Sequence, residues 1–104
     1  MIEIKYNASE LELNINGHAG YAEEGKDIVC SAVSCLFYTL AETLSSSTDY
    51  LKGYSINTEK GHIKAIPKPQ YKAVIQRTFF TICTGLSMIA EEYPENVTFS
   101  EVMG

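Results

Sequence analysis

Cys30 and His18, twelve residues apart, are the side chains of this 104-residue sequence best suited to nucleophilic chemistry. A thiolate attacks a carbonyl carbon, and an imidazole in hydrogen-bond reach takes the thiol proton and returns it to the leaving group. Asp27 stands three residues before Cys30 and reads as the N-cap of a helix opening at Ile28. Cys30 then falls in the first helical turn, where free backbone N–H groups and the positive end of the helix dipole favour a thiolate. The same N–H groups lack partners within the helix and are expected to hold an oxyanion.

The other two cysteines are placed differently. With Val33 at the centre of the apolar stripe, Cys30 lies about 60° to one side, Ser34 about 100° and Cys35 about 160°. Cys35 therefore faces away, and Cys83, beside Ile82, reads as core filling. Cys30 and Cys35 are about 140° apart around a helix and cannot face one ion, so no metal or other cofactor is expected, although a zinc site using Cys30, His18 and a remote ligand stays open. Spacing alone also leaves the plainer reading, a packed cysteine and a loop histidine with no shared task. His62, on a hairpin strand, is expected to face solvent.

The elements that must position Cys30 and His18 follow from periodicity. Met1 to Tyr6 alternates, with Ile2, Ile4 and Tyr6 on one side. Leu11, Leu13 and Ile15 alternate likewise, so two strands joined at Asn7-Ala8-Ser9 form a hairpin. The stretch from Gly17 to Lys26 has no period and reads as a flexible loop in which Gly17, Gly20 and Gly25 allow bending, with His18 at its start. From Ile28 the pattern is helical, with Val29, Val33, Leu36, Phe37, Leu40 and Leu44 on one stripe and a stop at Ser45-Ser46-Ser47. A second hairpin pairs Tyr54–Thr58 with Ile63–Ala65 across Glu59-Lys60-Gly61. After Pro67 and Pro69, a second helix carries Tyr71, Ile75, Phe79, Ile82, Leu86, Ile89 and Tyr93. Pro94 ends it, and Val97, Phe99 and Val102 suggest a last strand. The order ββαββαβ predicts an α+β two-layer domain over 1–104, with a mixed β-sheet and two helices on one face.

Composition narrows the setting. An apolar fraction of 45% and a charged fraction of 20% are those of a globular protein. No run of some 18 apolar residues marks a membrane span, and no signal peptide is read at the N-terminus, so a cytoplasmic location is expected. Eight basic against 13 acidic residues give a net charge of −5, which argues against direct contact with nucleic-acid phosphates and suits a basic partner.

Residues 17–34, GHAGYAEEGKDIVCSAVS, closely resemble the signature of the ribosomal-processing cysteine protease family, Prp. The family pattern is Gly-His-Ala, a short variable loop, Gly-x-Asp-Ile-Val-Cys and a small-residue helical turn containing serine. The resemblance extends over essentially the whole chain. It implies a homodimeric endopeptidase of ribosome biogenesis that removes the N-terminal extension of large-subunit ribosomal protein twenty-seven, after an apolar, aromatic-rich motif. Carried over by match, Cys30 is the nucleophile and His18 the base. Asp27 and Ser34 occupy the family's Asp and Ser positions, with an N-cap and a packed hydroxyl as their plainer readings. Ser31 stands where alanine is common in the family. Tyr21 is a candidate for lining a substrate groove. Two rivals remain: a ribosome-associated module that binds without cutting, and a thiol-transfer protein, which would want a resolving cysteine near Cys30.

Overall fold

The computed structural model describes residues 1–23 and 25–102; Glu24, Met103 and Gly104 lie outside them. The chain runs β1 (Ile2–Asn7), β2 (Glu12–Gly17), α1 (Ile28–Ser45), β3 (Leu51–Asn57), β4 (His62–Pro67), α2 (Lys72–Glu92) and β5 (Val97–Val102). The five strands form one sheet in the order β3-β4-β2-β1-β5. β1 pairs parallel with β5, and the other three neighbouring pairs are antiparallel. The α+β class and the ββαββαβ order are those expected from periodicity.

One sheet face carries the core. In β1, Ile2, Ile4 and Tyr6 are buried while Glu3 and Lys5 are exposed, the period-2 pattern of a strand covered on one side. Ile63 and Ala65 of β4 and Leu13 of β2 join the same layer. The two helices pack against one another and lay their stripes on it: Val29, Val33, Phe37, Leu40 and Leu44 from α1, and Ile75, Phe79, Ile82 and Leu86 from α2. Each such side chain contributes roughly 1.5–3 kcal/mol relative to exposure. The Phe79 ring stacks on Tyr6 with centroids 5.8 Å apart. By length and composition, 28–45 and 69–92 are each apolar enough to cross a membrane, contrary to the expectation from the sequence. In this fold the buried stripe of each helix is spent on the sheet.

Boundaries differ in detail. The first turn occupies 8–11 rather than 7–9, because Asn7 Oδ1 accepts from Ser9 Oγ at 2.8 Å and from the Glu10 N–H at 3.1 Å. Leu11 adopts a left-handed φ of 50° there while its side chain stays buried. β3 begins at Leu51, ahead of Tyr54, with an irregular register between Leu51 and Gly53.

Sheet register decides what meets the loop after β2. Gly17 lies opposite Ile2, and Ile2 lies beside Val97. The end of β2 and the start of β5 therefore share one rim of the sheet, with the first residues of β1 between them. Asn96 sits on this rim, its carbonyl accepting from the Ile2 N–H at 2.8 Å. At Gly17 the chain turns with φ 95°, and a Cβ there would come within 2.2 Å of the Met1 carbonyl oxygen. Only glycine fits that approach.

Candidate active site

Asp27 organises the start of α1. Its Oδ1 accepts from the Val29 N–H at 3.0 Å and the Cys30 N–H at 2.9 Å, and its Oδ2 accepts from the Tyr21 N–H at 3.1 Å. The N-cap read from the sequence is thus present, and it also ties the preceding loop to the helix. Asp27 is only 7% exposed. Its carboxyl is held below the usual carboxylate range, above all by the hydrogen bond from the Cys30 backbone. Burial acts the other way, and hydrogen bonds from the Tyr21 and Ala22 backbones and from the Cys30 thiol reinforce the lowering.

These contacts correct one expectation. The Val29 and Cys30 N–H groups are not free to receive an oxyanion, because Asp27 Oδ1 takes both. The Ser31 N–H donates to the Asp27 carbonyl at 3.1 Å. What faces the sulfur instead is the Ala19 N–H, which donates to Cys30 Sγ at 3.3 Å.

Cys30 is half-buried at the edge of the core, and His18 is exposed at the end of β2. The two line one cleft of about 550 Å³, together with Asp27, Ser31, Ser34 and Ala22. Among the described residues no hydrogen bond joins the imidazole to the thiol; catalytic contacts of this kind often close only with substrate bound. Ser34, one turn beyond Cys30, is exposed and lines this cleft. His18 and Ser34 also line an adjoining open groove of about 790 Å³, whose far walls are Phe37 and Tyr38 of α1 and the β3–β4 turn. The sulfur's cleft and this groove share Ile15, Gly17, His18, Val33 and Ser34 as walls.

Gly20 and Gly25 adopt φ of 67° and 88°, so both are at left-handed positions of the loop. The segment called flexible from its glycines is anchored at several points. Ala19 is buried, its carbonyl accepts from Asn96 Nδ2 at 2.9 Å, and the Tyr21 ring meets Tyr93 edge-on at 5.5 Å. Part of that flexibility expectation falls on Glu24, outside the described residues.

Cys35 is exposed, as its helix phase predicts, and Cys83 is buried, in keeping with core filling beside Ile82. Burial, with a smaller contribution from Glu101, pushes the Cys83 thiol up to about 12. His62 departs from expectation: it is half-buried on the groove and its Nε2 lies 2.6 Å from Glu12 Oε2. Among the described residues no group of three or more His, Cys, Asp or Glu side chains is placed to hold a metal ion.

Sequence reasoning missed Asn96 and the Ala19 backbone. Asn96 is 77 positions from Ala19, and only the β1–β5 register brings it there. No local spacing signals such a contact.

Known proteins share the sequence and fold of this chain. A Mycoplasma genitalium protein named ribosomal processing cysteine protease Prp is 29% identical over 103 residues, covering 94% of this chain and 95% of its own. The crystal structure of the essential ribosomal processing protease Prp from S. aureus, with a covalently linked product peptide, superposes with a TM-score of 0.78. It is 23% identical, covering 98% of this chain and 100% of that one, and so speaks to the fold. A Streptococcus mutans crystal structure gives a TM-score of 0.66 at 28% identity, over 99% of this chain and 93% of that one. The family model described as cysteine protease Prp matches residues 1–98, and the chain belongs to that family of cysteine proteases.

Proposed function

We propose that this protein is the endopeptidase that removes the N-terminal extension of large-subunit ribosomal protein twenty-seven, working through a Cys30–His18 dyad. The observation that carries the reading is the shared cleft of Cys30 and His18, with an N–H donor already on the sulfur. The relatives' names support ribosomal processing, and the S. aureus relative is described with a covalently linked product peptide.

In this mechanism Cys30 Sγ attacks the scissile carbonyl carbon while His18 takes the thiol proton. The C–N bond breaks, His18 returns the proton to the leaving amine, and the N-terminal fragment stays as an acyl thioester. Water, deprotonated by His18, then attacks the thioester and restores the thiol. Asp27 holds the helix start and the loop, and Ser34 lines the substrate path. A net charge of −5 suits a basic ribosomal substrate. In this reading the enzyme acts as a homodimer, on the strength of the family resemblance, and in the cytoplasm, as expected from its sequence.

One observation favours a non-catalytic ribosome-binding reading: Asp27 occupies the helix-start donors that an oxyanion would use. The test is incubation with a peptide spanning the extension and the mature N-terminus. A single cut at that junction, lost in Cys30→Ala, is the expected result. An uncut peptide that still binds favours the rival.

A further inference from the structure

With Asp27 holding the Val29 and Cys30 N–H groups, the proposed hydrolysis needs another donor for the developing oxyanion. The geometry points to the Ala19 backbone N–H as that donor, with Asn96 as the positioning residue that aims it; the inference rests on the protease reading.

The Ala19 N–H lies 3.3 Å from Cys30 Sγ. On attack, the negative oxygen forms on the carbon that has just bonded to that sulfur, one bond further out. A donor that already reaches Sγ lies close to that oxygen, and an N–H group fixed in place beforehand acts at no cost of reorientation. Ala19 directly follows His18, so donor and proton carrier are neighbours in the chain just past the end of β2.

What fixes the donor is a clamp on both sides of Ala19. The residue is buried, at 3% exposure. Its carbonyl accepts from Asn96 Nδ2 at 2.9 Å. Asn96 is itself held by its backbone: its carbonyl takes the Ile2 N–H at 2.8 Å, and its N–H donates to the Tyr93 carbonyl at 2.9 Å. The side-chain amide therefore projects from a rim fixed by the β1–β5 ladder. The buried residue and its held carbonyl restrain the backbone from which the N–H of Ala19 faces the sulfur. The loop just beyond is held in parallel, by the Tyr21 N–H on Asp27 and the Tyr21 ring on Tyr93.

The test uses the full chain as Asn96→Ala and Asn96→Asp. Both leave the backbone bonds of residue 96 available, and the aspartate keeps the size while replacing the donor with an acceptor. For cleavage of the extension peptide, kcat is expected to fall about 10- to 100-fold with KM within about twofold; complete loss of one oxyanion donor costs about 10²–10³-fold. A peptide aldehyde, which forms a tetrahedral adduct on Cys30, is expected to lose affinity in proportion to kcat/KM. The uncleaved peptide's Kd, measured on the Cys30→Ala background, is expected to stay within twofold, a pattern that loosening of the cleft would not give. Replacing the Ala19 amide by an ester in a semisynthetic chain removes the donor itself and is expected to cost about 10²–10³-fold in kcat/KM. Unchanged kcat and aldehyde affinity in both Asn96 variants, or in the ester chain, overturn the inference while leaving the protease reading intact. A wild-type chain that neither cuts the peptide nor captures the aldehyde overturns both.

Discussion

Asp27 accepts the backbone N–H of Cys30 at 2.9 Å, so the residue that caps α1 also holds the backbone of the residue assigned as nucleophile. Capping and chemistry are joined at one turn. A change at Asp27 therefore acts on stability and on the sulfur's surroundings together.

The depressed carboxyl of Asp27 has a pH signature. A carboxyl lowered in the native state stabilises the fold at pH above its unfolded value, about 3.9, and that contribution is lost as pH falls through the lower native value. Urea midpoints of wild type and Asp27→Asn between pH 2 and pH 7 check this. The asparagine retains a cap acceptor but no charge, so its midpoint is expected to fall less steeply below about pH 4. Equal slopes would mean that Asp27 is not the group being titrated.

The alkaline side has the opposite sign. Burial raises both the Tyr6 hydroxyl and the Cys83 thiol to about 12. Groups raised in the native state contribute stability that is full below their unfolded values, about 8.5 for Cys and 10 for Tyr, and is lost as pH climbs toward 12. Tyr6→Phe keeps a ring to stack on Phe79 and removes one of the two groups, so the decline of Tm above pH 10 is expected to flatten. An unaltered decline contradicts the assignment.

Thiol labelling should separate the three cysteines. Iodoacetamide at pH 8 is expected to modify exposed Cys35 and half-buried Cys30 in the native chain and to leave Cys83 untouched until denaturant is added. Mass spectrometry of the digested protein reads the three sites. Native labelling of Cys83 would contradict its burial between α2 and the sheet.

The turn before His18 is a second test of geometry. Gly17→Ala would place a Cβ 2.2 Å from the Met1 carbonyl oxygen, at a φ of 95° that alanine resists. The variant is expected to lose about 1–3 kcal/mol of stability and to misplace His18, lowering kcat/KM. A variant of wild-type stability and activity would show that the rim tolerates a side chain there.

His18→Ala isolates the base. The side chain is exposed, so stability is expected to stay within about 0.5 kcal/mol of wild type. Peptide cleavage near neutral pH is expected to fall about 10²- to 10⁴-fold. A small loss in rate would remove His18 from the proton transfer.

Much of this arrangement was legible in the residues. The stripes of Val29 to Leu44 and Tyr71 to Tyr93 gave both helices, because a helix covering a sheet must repeat its apolar residues every three or four positions. Asp27 announced the helix start, because few side chains cap the free N–H groups there so well. The helix phases of Cys30 and Cys35 gave their relative exposure, and the neighbour Ile82 gave the burial of Cys83. The consequence of the cap was less legible: a side chain that satisfies the Cys30 N–H also withdraws it from catalysis. Ala19 and Asn96 lay beyond reach, since a backbone N–H has no letter in the sequence and the Asn96 contact exists only through strand pairing. His62 was misjudged for a related reason, as its partner Glu12 lies across the β2–β4 pairing.

The most direct test of the central claim is the bond between substrate and sulfur. Wild-type protein mixed with the extension peptide and quenched in acid within the first turnover should carry the mass of the acylated N-terminal fragment, and digestion should place that mass on Cys30. Cleavage with no such adduct, an adduct on another residue, or cleavage that persists in Cys30→Ala would contradict the account.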